Sequence, residues 1–216
     1  MYQQHPSPEL NELFRVRPFQ GVPPESAEFL FVGLDANYAP ELERSASFTS
    51  ILDYHRDGVA FWRRHGVHHP FLLPGYRGDG RLYHRNFARI GFNSRDADRI
   101  SFVELLHVPT IGRNRLDVED LDPIHLDAIG AIVKAGEHRH VFLSAGVVKL
   151  MRKSCRFDWL VRQRPTQELL PVLYRQGKTC VYLHLHFSSY GKFKAQMDRE
   201  AMAIAGLARK RPEVLG

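Results

Sequence analysis

The chain has 216 residues, with 30 Lys and Arg against 24 Asp and Glu (net +6) and a hydrophobic fraction of 44%. That is enough apolar material for one sizeable core and too ordinary a charge content for disorder, so residues 1–216 read as a single α/β-sized domain. No apolar run approaches the ~20 residues that span a bilayer, and the two cysteines, Cys155 and Cys180, exclude a disulfide framework, a four-Cys zinc site and an iron–sulfur cluster.

The N-terminus MYQQHPSPEL has neither a cationic nor an apolar leader segment, so a reduced, cytoplasmic setting without a membrane is expected. Residues 1–24, with Pro6, Pro18, Pro23 and Pro24, read as an N-terminal arm holding one helix at Ser7–Phe14. Glu28–Gly33 is a short apolar run ended by glycine, the pattern of a strand buried on both faces. Ile51, Tyr54, Val59 and Trp62 predict one helix over Ser50–Arg64. Gly66–Gly80 reads as a long irregular loop, and Arg81–Ile90 as a helix.

Ile100–Leu106 predicts a second strand, and Asp122-Pro123 supplies a cap and a first-turn proline for a helix to about Ala135. His140–Gly146 is a third strand with its turn, followed by a short helix over Val147–Lys153. Leu169–Tyr174 suits an edge strand before a turn at Gly177, and Thr179–His184 is a fourth apolar strand. Phe193, Met197, Ala201, Ile204 and Ala208 mark one face of a last helix over Tyr190–Arg209, capped by Ser188 and Ser189. Strands alternating with helices predict an α/β fold, a three-layer α/β/α sandwich around a central, mostly parallel four-stranded sheet.

Ligands in such sheets sit beyond the carboxyl ends of the strands. The first strand delivers Gly33-Leu34-Asp35-Ala36-Asn37-Tyr38, and the second carries Glu104 and His107 before Pro109-Thr110-Ile111-Gly112-Arg113. The fourth runs into His184-Leu185-His186-Phe187-Ser188-Ser189-Tyr190. Parallel strands would gather Asp35, Glu104, His107, His184 and His186 at one rim, where a carboxylate and an imidazole can activate water and stabilise a leaving anion. Simpler readings stand beside this: Asp35 as a turn former, the serines as helix caps, and any of 12 histidines as packing. Residues 51–90 hold seven arginines and three aspartates interleaved with Phe61, Trp62, Phe71, Tyr76 and Tyr83, which reads as a nucleic-acid surface or as a solvated basic face.

The order and spacing of these segments resemble the uracil-DNA glycosylase superfamily, closest to its cluster-free, mismatch-specific uracil/thymine branch. Gly33-Leu34-Asp35-Ala36 stands where that family has Gly-x-Asp/Asn-Pro, and His186-Phe187-Ser188-Ser189 where many members have His-Pro-Ser-Pro. Val103–Thr110 resembles the branch's central strand and Pro-Thr turn, and His84–Phe92 its Asn-x-Phe segment. Both motif prolines are replaced, and Glu104 occupies the position of the base-reading Asn. An amide offers a donor and an acceptor, whereas an ionised carboxylate only accepts, so Glu104 would have to be protonated to read uracil; a shifted register makes His107 the reader instead.

The resemblance implies a monomeric DNA glycosylase of base excision repair that flips a damaged or mismatched base and hydrolyses its N-glycosidic bond without a cofactor or metal. It assigns catalysis to Asp35, which orients water, and His186, which stabilises the departing base. Gly33, Leu34, Ala36, Asn37, Tyr38, Phe48, Glu104 and His107 would surround the base, with Phe48 or an aromatic of the 66–80 loop stacking on it. Thr110, Arg113, Ser188, Ser189, Tyr190 and Lys192 would contact DNA. Two other readings remain open. One is a DNA-binding protein on the same fold that does not cut. The other is a metal-dependent hydrolase using His184-x-His186 and His138-x-His140.

Overall fold

A computed structural model of the chain describes residues 2–112, 115–136, 139–160 and 168–209. In chain order it contains β1 (Gln3–Gln4), α1 (Pro8–Val16), β2 (Phe19–Gly21), β3 (Phe29–Gly33), β4 (Asn37–Tyr38), α2 (Phe48–Arg56), α3 (Gly58–His65) and α4 (Arg81–Ala88). There follow β5 (Ile100–Glu104), β6 (Thr110–Ile111), α5 (Pro123–Ala135), β7 (His140–Ser144), α6 (Ala145–Lys153), β8 (Val172–Gln176), β9 (Thr179–His184) and α7 (Lys194–Arg209).

The main sheet has six strands in the order β2-β5-β3-β7-β9-β8, not the four expected. The four predicted apolar strands form its parallel interior, β5-β3-β7-β9, and β2 and β8 add antiparallel edges. Strand β8 is the anticipated edge, shifted a few residues later and turned into β9 at Gly177, whose φ is +55°. Strand β2 comes from the segment read as an arm. That segment also supplies β1, which pairs with β6, and α1, whose Leu10 and Phe14 are buried.

Alternation along the parallel strands divides the core. Leu30, Val32, Val103, Val141, Leu143 and Val181 face α5 and α6, packing on Leu126, Ile129, Val133, Val147 and Met151. Phe29, Phe31, Phe102, Phe142 and Tyr182 face the other way, toward Trp62 of α3, Phe87 of α4 and Met197, Ala201 and Ile204 of α7. On this aromatic face Phe31 stacks on Phe142 at 4.8 Å and on Phe102 at 5.5 Å between ring centroids. Such offset pairs add about 0.5–1.5 kcal/mol each beyond the area they bury.

Two predicted helices change shape. The helix expected over Ser50–Arg64 breaks at Asp57 (φ −154°), which ends α2 and caps α3 by accepting a hydrogen bond from the Ala60 N–H at 2.9 Å. The break brings Gly58 so close to β2 that a Cβ there would lie 2.8 Å from the Gly21 nitrogen. Helix α7 starts at Lys194 after a 3-10 turn over Gly191–Phe193, so Ser188 and Ser189 do not cap it. Phe193 lies off its buried face, while Met197, Ala201 and Ile204 lie on it as expected. Among the described residues no helix is long and apolar enough to cross a membrane.

Candidate active site

Because β3, β5 and β9 run parallel, the residues that follow them meet at one rim. A cleft of about 300 Å³ opens there on the aromatic side of the sheet. Its lining includes Gly33, Leu34, Asp35, Ala36, Asn37, Tyr38, Glu104, His186 and Ser188, all singled out from the sequence. It also includes Gln20, Tyr54, His69, Phe71, Gly80, Tyr83, His84 and Phe102.

Asp35 is held from the β5–β6 connection. The Thr110 hydroxyl donates to Asp35 Oδ2 at 2.6 Å, and Asn37 Nδ2 donates to Thr110 Oγ1 at 3.2 Å and also to the Gly112 carbonyl. With its lone pair engaged by Asn37, the Thr110 hydroxyl hydrogen is directed at the Asp35 carboxyl group and fixes its orientation. Thr110 is fully buried, so it positions Asp35 and does not contact DNA as the sequence suggested. The parallel pairing continues past the strand through the Thr110 N–H, which donates to the Ala36 carbonyl at 2.9 Å.

Glu104 ends β5 directly beside Gly33 in the register. Its carboxyl group lies across Gly33, where a Cβ would sit 1.9 Å from Glu104 Oε2. Glycine is required here for space, since the backbone conformation suits any residue. Burial, and then the charge of Asp35, push the Glu104 carboxyl up to about 8. At neutral pH it is therefore mainly protonated and presents one O–H donor and one carbonyl acceptor, the same pair of functions as an amide.

His186 stands exposed at the rim, with Tyr83 packed on its ring at 5.5 Å. Loss of solvent on the packed side lowers its pKa, opposed by Asp35, so the ring is neutral at pH 7. The Ser188 N–H donates to His186 Nδ1 at 3.2 Å, which assigns the proton to Nε2 and makes that edge a donor. The loop is clamped from both sides. Buried Asn86 donates to the carbonyls of Phe187 (2.5 Å) and Ser189 (3.2 Å), and Glu200 of α7 accepts the Leu185 N–H at 2.7 Å. Phe187 anchors the loop by burying its ring among Phe31, Tyr83 and Phe87.

Several sequence-based assignments move. Phe48 is half-buried against the cluster around Leu10, Phe14 and Ile51 and does not reach the cleft. The aromatic walls come from Phe71 of the 66–80 loop and from Tyr38, both among the expected residues, together with Tyr54, Tyr83 and Phe102; Phe71 is backed by Tyr76 at 4.1 Å and 11°. His107 is also outside the cleft, its ring 5.5 Å from His125, which bonds the Glu104 carbonyl at 2.8 Å. Of His107 and Glu104, only Glu104 lines the cleft. His184 is buried against Phe31, Phe142 and Phe187, and burial drops its pKa to about 3. No group of three or more His, Cys, Asp or Glu that could hold a metal ion occurs among the described residues; His138, like Arg113, lies outside them.

Beyond the rim, Tyr190 is 77% exposed, and Lys192, also exposed, extends over the Phe193 ring at 5.3 Å. Ser189 is half-buried and occupied by the loop's own hydrogen bonds to Asn86 and to the His186 carbonyl. The basic stretch at 51–90 is partly neutralised, since Arg56, Arg63 and Arg89 pair with Glu9, Asp98 and Asp198. Such exposed pairs contribute about 0–1 kcal/mol.

Three cleft residues had no clear sequence signal. His69 and His84 stack at 3.5 Å and 8°, with His84 Nδ1 3.2 Å from His68 Nε2. Burial holds all three imidazoles below their usual pKa and therefore neutral. Gln20 is only 5% exposed, and its Nε2 has no hydrogen-bond partner among the described residues. An unpaired buried amide costs about 1–3 kcal/mol. No protein-family model, curated protein or solved structure matches the chain.

Proposed function

We propose that this chain is a monofunctional DNA glycosylase-like enzyme that binds a flipped base in the cleft and hydrolyses its N-glycosidic bond. The observation that carries the reading is the meeting of Asp35, Glu104 and His186, from three parallel strand ends, in one aromatic-walled cleft. At about 300 Å³ the cleft is at the small end of ligand pockets, a size for one base and not for an extended substrate. The reading takes the helices on the two sheet faces as the outer layers of a three-layer sandwich, acting as a cytoplasmic monomer in base excision repair.

In this mechanism the base enters between the aromatic walls, with Phe71 as the stacking ring, and Glu104 meets its edge as a neutral acid. The glycosidic bond breaks toward an oxocarbenium-like sugar and an anionic base. Asp35, oriented by Thr110, stabilises the cation and directs water to the sugar carbon. His186 donates through Nε2–H to the departing base. Tyr190 and Lys192 lie outside the cleft where the strand would pass, and add sequence-independent affinity.

The test is base release from oligonucleotides carrying uracil, hypoxanthine, xanthine or a thymine mismatch, in single- and double-stranded form, read as cleavage at the abasic site. Asp35→Asn and His186→Ala are each expected to reduce release about 100- to 1000-fold while the protein stays folded. Salt-sensitive DNA binding with no abasic product from any substrate would replace this reading with that of a non-cutting binding protein.

A further inference from the structure

The residues assigned so far leave one side of the cleft unexplained. Gln20 lies on β2, the edge strand contributed by the N-terminal segment, and pairs with Phe102. Directly opposed residues point to the same face, and Phe19, one residue earlier, packs into the aliphatic core on the other face. Gln20 is thus turned to the aromatic side, where it lines the cleft with Phe102 and Glu104. Glu104 is two residues beyond Phe102 on β5, a diagonal cross-strand neighbour of Gln20. Such diagonals stand about 7–8 Å apart, a gap into which the edge of one planar ligand fits.

Its Nε2 is buried and has no partner among the described residues, while the Gln20 backbone carbonyl accepts a hydrogen bond from Ser101 Oγ at 3.4 Å. A buried donor left open in a native core calls for an explanation, and a cleft is the place where a ligand supplies the acceptor. A Leu or Met at this position would meet the packing needs of the strand without the unpaired group.

We propose that Gln20 is a specificity-determining residue of the cleft, donating from Nε2 to a carbonyl oxygen of the bound base while Glu104 engages the adjacent edge position. The inference rests on reading the cleft as a nucleobase pocket. It assigns to the N-terminal strand a part of substrate recognition, and it selects for bases that carry a ring carbonyl over adenine, which has none.

The experiment uses the full-length protein, labelled with ¹⁵N and titrated with uracil, hypoxanthine and adenine as free bases and with a uracil-containing oligonucleotide. The Gln20 side-chain amide pair, identified by its absence in Gln20→Met, is expected to shift with a carbonyl-bearing ligand and not with adenine. Gln20→Met is expected to bind that ligand about tenfold more weakly, the scale of one lost hydrogen bond. Its melting temperature should be unchanged or higher, because a purely structural glutamine would lower it on removal. An amide pair that shifts with none of the ligands overturns the inference, as does equal affinity in wild type and Gln20→Met. Base release measured in parallel separates the two failures. Gln20-dependent binding without release in wild type refutes the glycosylase reading alone, whereas release unchanged by Gln20→Met refutes the role of Gln20 alone.

Discussion

Raising the pH through 8 should switch off the cleft by ionising Glu104. Burial and the neighbouring Asp35 charge move this carboxyl from 4.5 to about 8. That difference corresponds to at most about 5 kcal/mol in favour of the neutral acid, an upper bound because the group borders the open cleft. At pH 7 about ten molecules are protonated for each ionised one, and at pH 9 the ratio reverses. If the neutral acid reads the base, kcat/KM for base release should be level below pH 7 and fall about tenfold per pH unit above 8. Glu104→Gln keeps a donor and an acceptor and cannot ionise, so it should retain activity and lose the alkaline limb. The same linkage predicts stability. The folded state holds a proton that the unfolded state has released between pH 4.5 and about 8, so Glu104 makes the protein less stable as pH rises through that window. Steady-state kinetics from pH 6 to 10 on wild type and Glu104→Gln decide the matter. An identical alkaline limb in both proteins, or a wild-type profile flat to pH 10, would refute the reasoning.

Gly33→Ala should inactivate without unfolding. The new methyl would lie 1.9 Å from Glu104 Oε2, and the clashing atom is the end of a flexible side chain that can swing away, so kinetics should suffer more than the melting temperature. Thr110→Val removes the hydroxyl that orients Asp35; kcat is expected to drop about tenfold with KM little changed, and a change confined to KM would argue against the positioning role. Acid should unfold the protein, since burial lowers His55, His68 and His184 to about 3. Between about pH 3 and 6.5 the unfolded state binds the extra protons, so the stability present above pH 6.5 is lost as pH falls. Each of these imidazoles costs about 2 kcal/mol at pH 5. Three together rival the whole stability of a typical domain, about 5–15 kcal/mol, and circular dichroism should show a transition near pH 5. A cooperative fold intact at pH 4 would contradict it.

Much of the fold can be read locally. The runs ending in Gly33, Glu104, Ser144 and His184 are apolar on both faces, which only a covered interior strand accommodates, and Asp122-Pro123 starts α5 where capping rules place it. The edge strand β2 and the break at Asp57 are less legible, whereas the other edge, β8, lies within a few residues of its expected place. Three residues between prolines carry no period, and the break at Asp57 goes with a close approach of Gly58 to Gly21, a contact between segments 37 positions apart. The site divides the same way. Asp35 and His186 follow strands whose parallel pairing brings them together, so their positions in the chain already place them at one rim. Phe48 and Thr110 went astray because an aromatic or hydroxyl side chain in a plausible segment says nothing about which neighbour it will meet.

The sequence by itself determined which strands form the parallel interior and therefore which residues follow them to the rim, since hydrophobic pattern and turn chemistry are properties of neighbouring residues. Only the tertiary structure decided that Glu104 is a neutral acid, that Thr110 serves Asp35, and that Gln20 brings an unpaired amide into the cleft. Each of those depends on solvent excluded, or a charge or partner supplied, by segments far away in the chain. The +6 charge keeps its ambiguity in the same terms, because arginines that look free in the sequence find carboxylates once the chain is folded.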